Sequence, residues 1–295
     1  MKKINIIITI IFMLLLCGNI NAHCAEKDGY EYTLIDGEVT IIGYRGEPES
    51  ITIPEFIESC PVTEIRDNAF YNCHSLRHIS IPDTVLKIGH HSFYACYSLE
   101  EIKLPPDLEE IGMGCFCGCA GLVSADLPET LTVLPDSCFR ACTSLTEVIL
   151  PRRLSVIEKF CFSGCTSLRS AETGESLTAV GERAFYMCNR LDSIYLPPSC
   201  CTVGCQALGY TCDGNMMLRQ TEMLISGEKG SAAESYAAEN GLPFEETAVE
   251  AFRSIELIEK DDCERDIFCK FGLLVFAVLT VVAVKFIIGK RRGHE

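Results

Sequence analysis

The chain has 295 residues, 25 Lys and Arg against 41 Asp and Glu, a formal charge of -16, 19 cysteines and no tryptophan. That length allows one large domain or two small ones. The acidic balance excludes a nucleic-acid partner, because such binding needs a basic face that neutralises phosphates; the missing Trp disfavours a sugar-stacking site, although Tyr can substitute.

Residues 1–25 read as a secretory signal peptide: Lys2 and Lys3, an apolar run from Ile6 to Cys17, then small and polar residues. Cleavage fits after Ala22 or Ala25, and an uncleaved anchor is the competing reading. Residues 26–61 include "YEYTLIDGEVTIIGYRGEPESITIP", alternating and turn-rich. They are expected to form a β cap, a strand hairpin that covers the first coil of a repeat array.

From residue 62 to 213 the chain repeats. Phe recurs at 70, 93, 116, 139, 162 and 185, Cys three residues after each Phe, and Leu three residues after each Cys, always on a step of 23. One unit reads "LRHISIPDTVLKIGHHSFYACYS", with the skeleton LxxIxLPxxLxxIGxxAFxxC. A fixed period in this range signals a leucine-rich-repeat solenoid, in which stacked neighbours bury the apolar face that one coil cannot bury alone. The fold class is therefore a mostly β solenoid of about six or seven coils. "LxxIxLP" alternates as a half-buried strand does, and Pro82, Pro105, Pro128, Pro151 and Pro197 end each strand. The second half turns a corner and brings Ile88, Phe93 and Cys96 inside. Gly89, Gly112, Gly181 and Gly204 share a slot with Pro135 and Glu158, so that slot does not demand positive φ in every coil. The step from Ile51 to Ile79 is 28, which places about five extra residues near Phe56–Pro61. "AETGESL" at 171–177 predicts a bulged strand, and 200–212 reads as a degenerate coil.

Residues 214–250 are expected to form an α/β cap. Ser231 and Glu234 suggest a capping box for a short helix ended by Asn240-Gly241. Residues 251–266 read as a juxtamembrane stalk and 267–289 as a single transmembrane helix. Its apolar run Phe271–Ile288 would span roughly 27 Å as a helix. "GKRR" comes next, so 290–295 is a cytoplasmic tail and the repeats lie outside the cell.

The units "IPDTVLKIGHHSFYACYSLEEI", the lead-in "YTLIDGEVTIIGYRG" and the exit "GSAAESYAAENGLPF" resemble the BspA-type leucine-rich repeats of bacterial surface proteins. The resemblance covers about residues 30–244. It implies a cell-surface protein with a role in adhesion, binding proteins of a host or partner cell. A leucine-rich repeat is a scaffold, so the ligand does not follow from the fold.

Nineteen cysteines in an exported chain invite a disulfide framework. The spacing argues against it within the repeats. One Cys per coil would form a ladder at strand spacing, about 4.8 Å, where a bridge wants Cβ atoms about 3.8 Å apart. A second column, Ala69, Ser92, Cys115, Cys138, Cys161, Ala184 and Ala207, exchanges Cys with Ala and Ser and so selects small size. The ladder is expected to be packed, reduced thiol, with any disulfides among Cys60, Cys200, Cys201, Cys205 and Cys212 in the irregular ends. "CFCGC" at 115–119 resembles a thiolate metal site, but Cys115 and Cys119 fall in the core columns. No metal site, cofactor or catalytic set stands out, and an enzyme is not expected.

The function expected is thus a membrane-anchored surface module that binds a protein on a host or neighbouring cell; the alternative is a thiol- or metal-handling surface protein. Binding is expected on the outward strand positions. Val123, Ile149 and Tyr195 are apolar or aromatic where the strand faces out, among acidic Asp126, Glu147 and Glu172. Such a face suits a ligand of basic character.

Overall fold

The coil begins as the sequence demands, with a strand whose central residue is apolar and whose neighbours are polar. The structure, a computed structural model, describes residues 23–213, 216–220 and 222–247. The expected signal peptide, stalk, membrane helix and cytoplasmic tail lie outside the described residues. Among the described residues, no helix is long and apolar enough to cross a membrane.

The first strands, β1 (His23–Lys27), β2 (Tyr30–Ile35) and β3 (Glu38–Tyr44), form an antiparallel meander. Its two turns, Asp28-Gly29 and Asp36-Gly37, hold positive φ at both residues, the geometry a tight hairpin needs. β4 (Ser50–Thr52) comes next. β5 (Phe56–Ile57) and β6 (Cys60–Ile65) then pair antiparallel through Glu58 and Ser59, both at positive φ. This hairpin accounts for the long first step. Successive coils supply β7 (His78–Ser80) and β8 (Lys87–Ile88), β9 (Glu101–Lys103) and β10 (Glu110–Ile111), β11 (Ser124–Asp126) and β12 (Val133–Leu134), β13 (Glu147–Ile149) and β14 (Val156–Ile157), β15 (Ser170–Glu172) and β16 (Ala179–Val180), and β17 (Ser193–Tyr195) and β18 (Thr202–Val203). The chain then makes a hairpin of β19 (Tyr210–Asp213) and β20 (Met216–Arg219), and after it β21 (Leu224–Gly227), α1 (Ala232–Asn240) and β22 (Phe244–Glu246).

One face carries β4, β7, β9, β11, β13, β15, β17, β21 and β22 in chain order, with parallel pairings in register wherever two strands are bonded. That makes about nine turns rather than six or seven. The surplus lies at the ends: β4 sits inside the segment 26–61, and β21 and β22 match no repeat consensus. The expected bulge at 171–177 is absent, since Ser170, Ala171 and Glu172 pair in register with Glu147, Val148 and Ile149. The coil at 200–212 is also more regular than its sequence, for Thr202 and Val203 continue the ladder beside Ala179 and Val180.

The second face runs β3–β6–β8–β10 and, separately, β12–β14–β16–β18. It breaks where Pro135 occupies the slot of Gly112. In other coils this residue's N–H donates to the previous coil, as Gly112 does to Ile88 and Gly181 to Ile157. Proline has no N–H to give. A cleft of about 380 Å³ opens at the break, lined by Glu109, Ile111, Met113, Val133 and Pro135 among others.

The Phe turn forms a third ladder. Phe70, Phe93, Phe116, Phe139, Phe162 and Phe185 each donate a backbone hydrogen bond to the next coil, 2.7–2.9 Å long. The residues two before each Phe, among them Asn68, His91, Gly114, Ser137, Phe160 and Arg183, all have positive φ, as do Asn72, Ala95, Gly118, Ala141, Gly164 and Met187 two after. The sequence shows no glycine rule at these places, because the ladder imposes the conformation on whatever residue is there. The glycine slot instead answers a close approach. A Cβ on Gly181 would stand 2.6 Å from the Glu158 carbonyl carbon, and one on Gly112 would stand 2.7 Å from the Gly89 oxygen.

Inside, the phenylalanine rings stack along the whole array, with centroids 5.1–5.5 Å apart and planes within 17° of parallel. Beside them, the Sγ of Cys96, Cys119, Cys142, Cys165 and Cys188 donates to the carbonyl of the Phe one coil back, at 3.1–3.2 Å. Cysteine therefore packs as a small apolar group and also closes a hydrogen bond. All fifteen cysteines whose side chains are described are free thiols, and nine are buried. Burial pushes Cys115, Cys119, Cys138, Cys142, Cys161 and Cys188 well above the ordinary thiol range. Two expectations need correction. Cys73 is only half-buried, since it lies in the first repeat and has no earlier Phe carbonyl to meet. Cys200 is not in an irregular end; it is 1% exposed and takes the core column of Leu154 and Leu177.

At the far end, α1 approaches the last coil. Leu208 stands in the Phe column, with no seventh Phe-type coil beyond it. Its N–H donates to Tyr236 Oη and its carbonyl accepts from the same hydroxyl, both at 2.9 Å. The predicted capping box does not form: Ser231 makes no side-chain cap bond, and Glu234 accepts from the Gly230 N–H. Gly241 ends the helix in the left-handed conformation, as the sequence suggests. The chain divides into two units, and every described residue belongs to the first, which ends at Thr247.

These ladders set the cost of two substitutions. Gly181→Ala should destabilise the chain by about 2–3 kcal/mol, because backbone meets the new methyl and cannot swing aside; thermal unfolding by circular dichroism reads it. Cys142→Ala loses a sulfur and a weak donor, whereas the Phe116 carbonyl keeps the Cys119 N–H at 3.1 Å. It should cost about 1–2 kcal/mol, against about 3–5 kcal/mol for Phe139→Ala in the same coil. Equal losses in urea unfolding would show that the sulfur holds more than packing.

Candidate binding surface

The broad face built from β4 to β22 positions its candidate residues by strand alternation, except Val123, which precedes β11 by one residue. Ile102, Ala125, Val148, Ala171 and Ile194 turn inward and are buried, so their neighbours turn out. Val123 is 48% and Ile149 65% exposed. Asp126, Glu147 and Glu172 are exposed as expected. The pairing places Asp126 opposite Lys103, Glu147 opposite Ser170, and Ile149 opposite Glu172. Val123 stands one residue before β11, and its equivalent in the next coil, Thr146, is three places before Ile149, so the two side chains lie roughly 11 Å apart across neighbouring coils. They share a face without forming one patch. At the N-terminal end of the same face, Arg77 Nε donates to Glu100 at 2.9 Å and the two side chains form an ion pair.

Tyr195 does not stand free on this face. It is half-buried, its Oη donates to Glu175 Oε1 at 3.1 Å, and its carbonyl accepts from Thr173 Oγ1. Burial, then Glu175, pushes its phenol up to about 12. The reason is local: the coil at 171–177 lacks the strand-ending proline, and Thr173 and Glu175 reach across instead. Of the six candidates, five are therefore open to solvent and one is half-buried by its hydrogen-bonded neighbours.

"CFCGC" is divided between core and surface. Cys115 and Cys119 are buried, and Cys117 alone is half-exposed. Among the described residues, no three His, Cys, Asp or Glu side chains group as a metal ion would require.

Strand alternation misses the outer side of the Phe turn. Tyr71 is 46% and Tyr97 54% exposed there, beside Tyr94, His74 and Arg140. The variable letters after each Phe, "FYNCH" then "FYACY", held that signal, but a reading centred on strands passes over it.

Comparison with known proteins agrees with this geometry. The family described as BspA type leucine rich repeat region matches residues 63–192 and 117–216, in six copies. The solved structure of a leucine rich cell surface protein from Faecalibacterium prausnitzii A2-165 is similar, with a TM-score of 0.55 and 28% identity over 67% of this chain and 58% of that one. A leucine-rich repeat protein from Eubacterium ventriosum ATCC 27560 shares the fold at a TM-score of 0.56 and 22% identity, over 63% of this chain and 49% of that one. The matches thus span less than two thirds of either structure. No curated protein matches the chain. The repeat family covers more than half of the sequence, and the chain belongs to the BspA-type leucine-rich-repeat family.

Proposed function

We propose that the chain is a cell-surface protein-binding module, exported by residues 1–25, anchored by residues 267–289, and active in adhesion to a host or neighbouring cell. The observation that carries this reading is the exposure of Val123 and Ile149 on a regular, mostly acidic sheet face. Apolar side chains held in water on a stiff platform are what a binding centre uses. Asp126, Glu147 and Glu172 around them favour a partner with basic character. The similarity to a structure titled a leucine rich cell surface protein supports the location. Export by cleavage after Ala22 fits the fold better than cleavage after Ala25, because Cys24 and Ala25 pair with Thr33 and Tyr32 in β1 and β2.

The alternative of thiol chemistry draws little support. Most repeat thiols are buried and held protonated, which removes the thiolate such chemistry needs. Among the described residues, Cys201 and Cys205 are the exposed ones.

Two measurements test the proposal. Protease added to intact cells should release the repeats and leave a small membrane stub; full protection would overturn the topology. Val123→Lys with Ile149→Lys should leave the circular dichroism spectrum unchanged, since neither side chain is in the core. It should weaken binding to a captured surface partner by about 2 kcal/mol, roughly thirtyfold. Unchanged affinity would move the site off this sheet.

A further inference from the structure

The Phe turn carries a second set of stacked rings on its outer side. Tyr71 and Tyr94 stack with centroids 5.0 Å apart and planes 6° from parallel; His74 and Tyr97 stack at 4.8 Å and 1°. Coils are equivalent at 23 residues, so the next places in these columns are Cys117 and Ala120. Neither can continue a ring stack. Gly118 and Gly121 flank them and add no side chain. The columns therefore stop at the third coil, and the far faces of Tyr94 and Tyr97 look onto a shelf of small residues.

Arg140 stands on the other side of that shelf, one coil further along the Tyr94 column. Its guanidinium lies over the Phe160 ring, 5.5 Å from the centroid. Its charge reaches across, because it pulls the ionisation of both Tyr94 and Cys117 downward against the other groups around them. No carboxylate among the described residues pairs with Arg140, whereas Lys159 nearby takes Asp136 at 3.3 Å. In a chain of charge -16, an arginine with no carboxylate bonded to it beside open tyrosine faces is a place for an anionic group.

We propose that this shelf receives an aromatic side chain from an acidic segment of a partner protein. The ring lies over Ala120 and continues the stack on Tyr97, and a neighbouring carboxylate pairs with Arg140. Stacked rings and guanidinium–carboxylate pairs are both directional, so together they select sequence rather than charge alone. The inference rests on the reading of the chain as a protein-binding solenoid, but it uses the side away from the sheet face.

The test uses the full chain in mild detergent and three labelled peptides, Glu-Glu-Tyr-Glu-Glu, Glu-Glu-Ala-Glu-Glu and Lys-Lys-Tyr-Lys-Lys, read by fluorescence anisotropy. Only the first should bind, with a dissociation constant on the order of a millimolar or tighter. Tyr97→Ala and Arg140→Gln should each weaken it at least about fivefold. Ala120→Phe should abolish binding with the fold retained, because the same backbone already carries a ring at Tyr97. Val123→Lys with Ile149→Lys should leave it unchanged. Equal binding of all three peptides, no binding of the first, or indifference to Ala120→Phe would overturn the inference. So would a dimer by light scattering that Arg140→Gln dissolves, since the occupant would then be a second copy of the chain. A surface partner that still responds to the Val123 and Ile149 pair while the peptide fails would sink this inference and spare the sheet face.

Discussion

Each turn phenylalanine donates its backbone N–H to the next coil, and this bond governs the geometry of the whole array. It fixes one coil to the next at the same residue every 23 positions, from Phe70 to Phe185. Once that translation is fixed, side chains in a column must sit at the same height. Phenylalanine rings then stack at 5.1–5.5 Å, and each cysteine meets the phenylalanine carbonyl behind it. The same translation forces positive φ on residues as different as His91, Ser137 and Phe160. Such conformations cost energy in a non-glycine residue, and they persist because the ladders on both sides over-determine them.

This also explains a cysteine-rich chain without a disulfide in its described residues. A column in a solenoid asks for an identical small group in every coil. Ser92 answers it with two backbone acceptors, Gly89 and Arg66, where Cys115, Cys138 and Cys161 answer it with sulfur. Thiols in such a column are kept protonated by burial and out of reach of oxidants by packing. Their value is volume and a weak donor.

Where a coil departs from the pattern, the surface changes. Pro135 removes one rung and opens a cleft. The third coil exchanges aromatic rings for Cys117 and Ala120 and leaves a shelf beside Arg140. The coil at 171–177 loses its proline and recruits Thr173 and Glu175 to hold Tyr195. Regular positions build the platform, and the exceptions give it features that a partner could read.

The period, the inward residue of each strand, the columns of Phe, Cys and Leu, and the family were all legible in the sequence, because they depend on nothing beyond local alternation and a fixed repeat. The exposure of Val123 and Ile149 was legible for the same reason. Other features required the third dimension. Residues with no consensus, such as those of β21 and β22, joined the sheet because the last coil leaves strand edges unpaired and any extended segment nearby can satisfy them. Cys200 proved to be core because a column, once stacked, accepts any apolar side chain of suitable size. Tyr195 turned from exposed to engaged because its partners, Thr173 and Glu175, lie about one coil away in sequence and meet it only when coils stack. The aromatic shelf was equally hidden: Tyr97, Ala120 and Arg140 are scattered letters in the chain, and only the coil-to-coil translation brings them side by side.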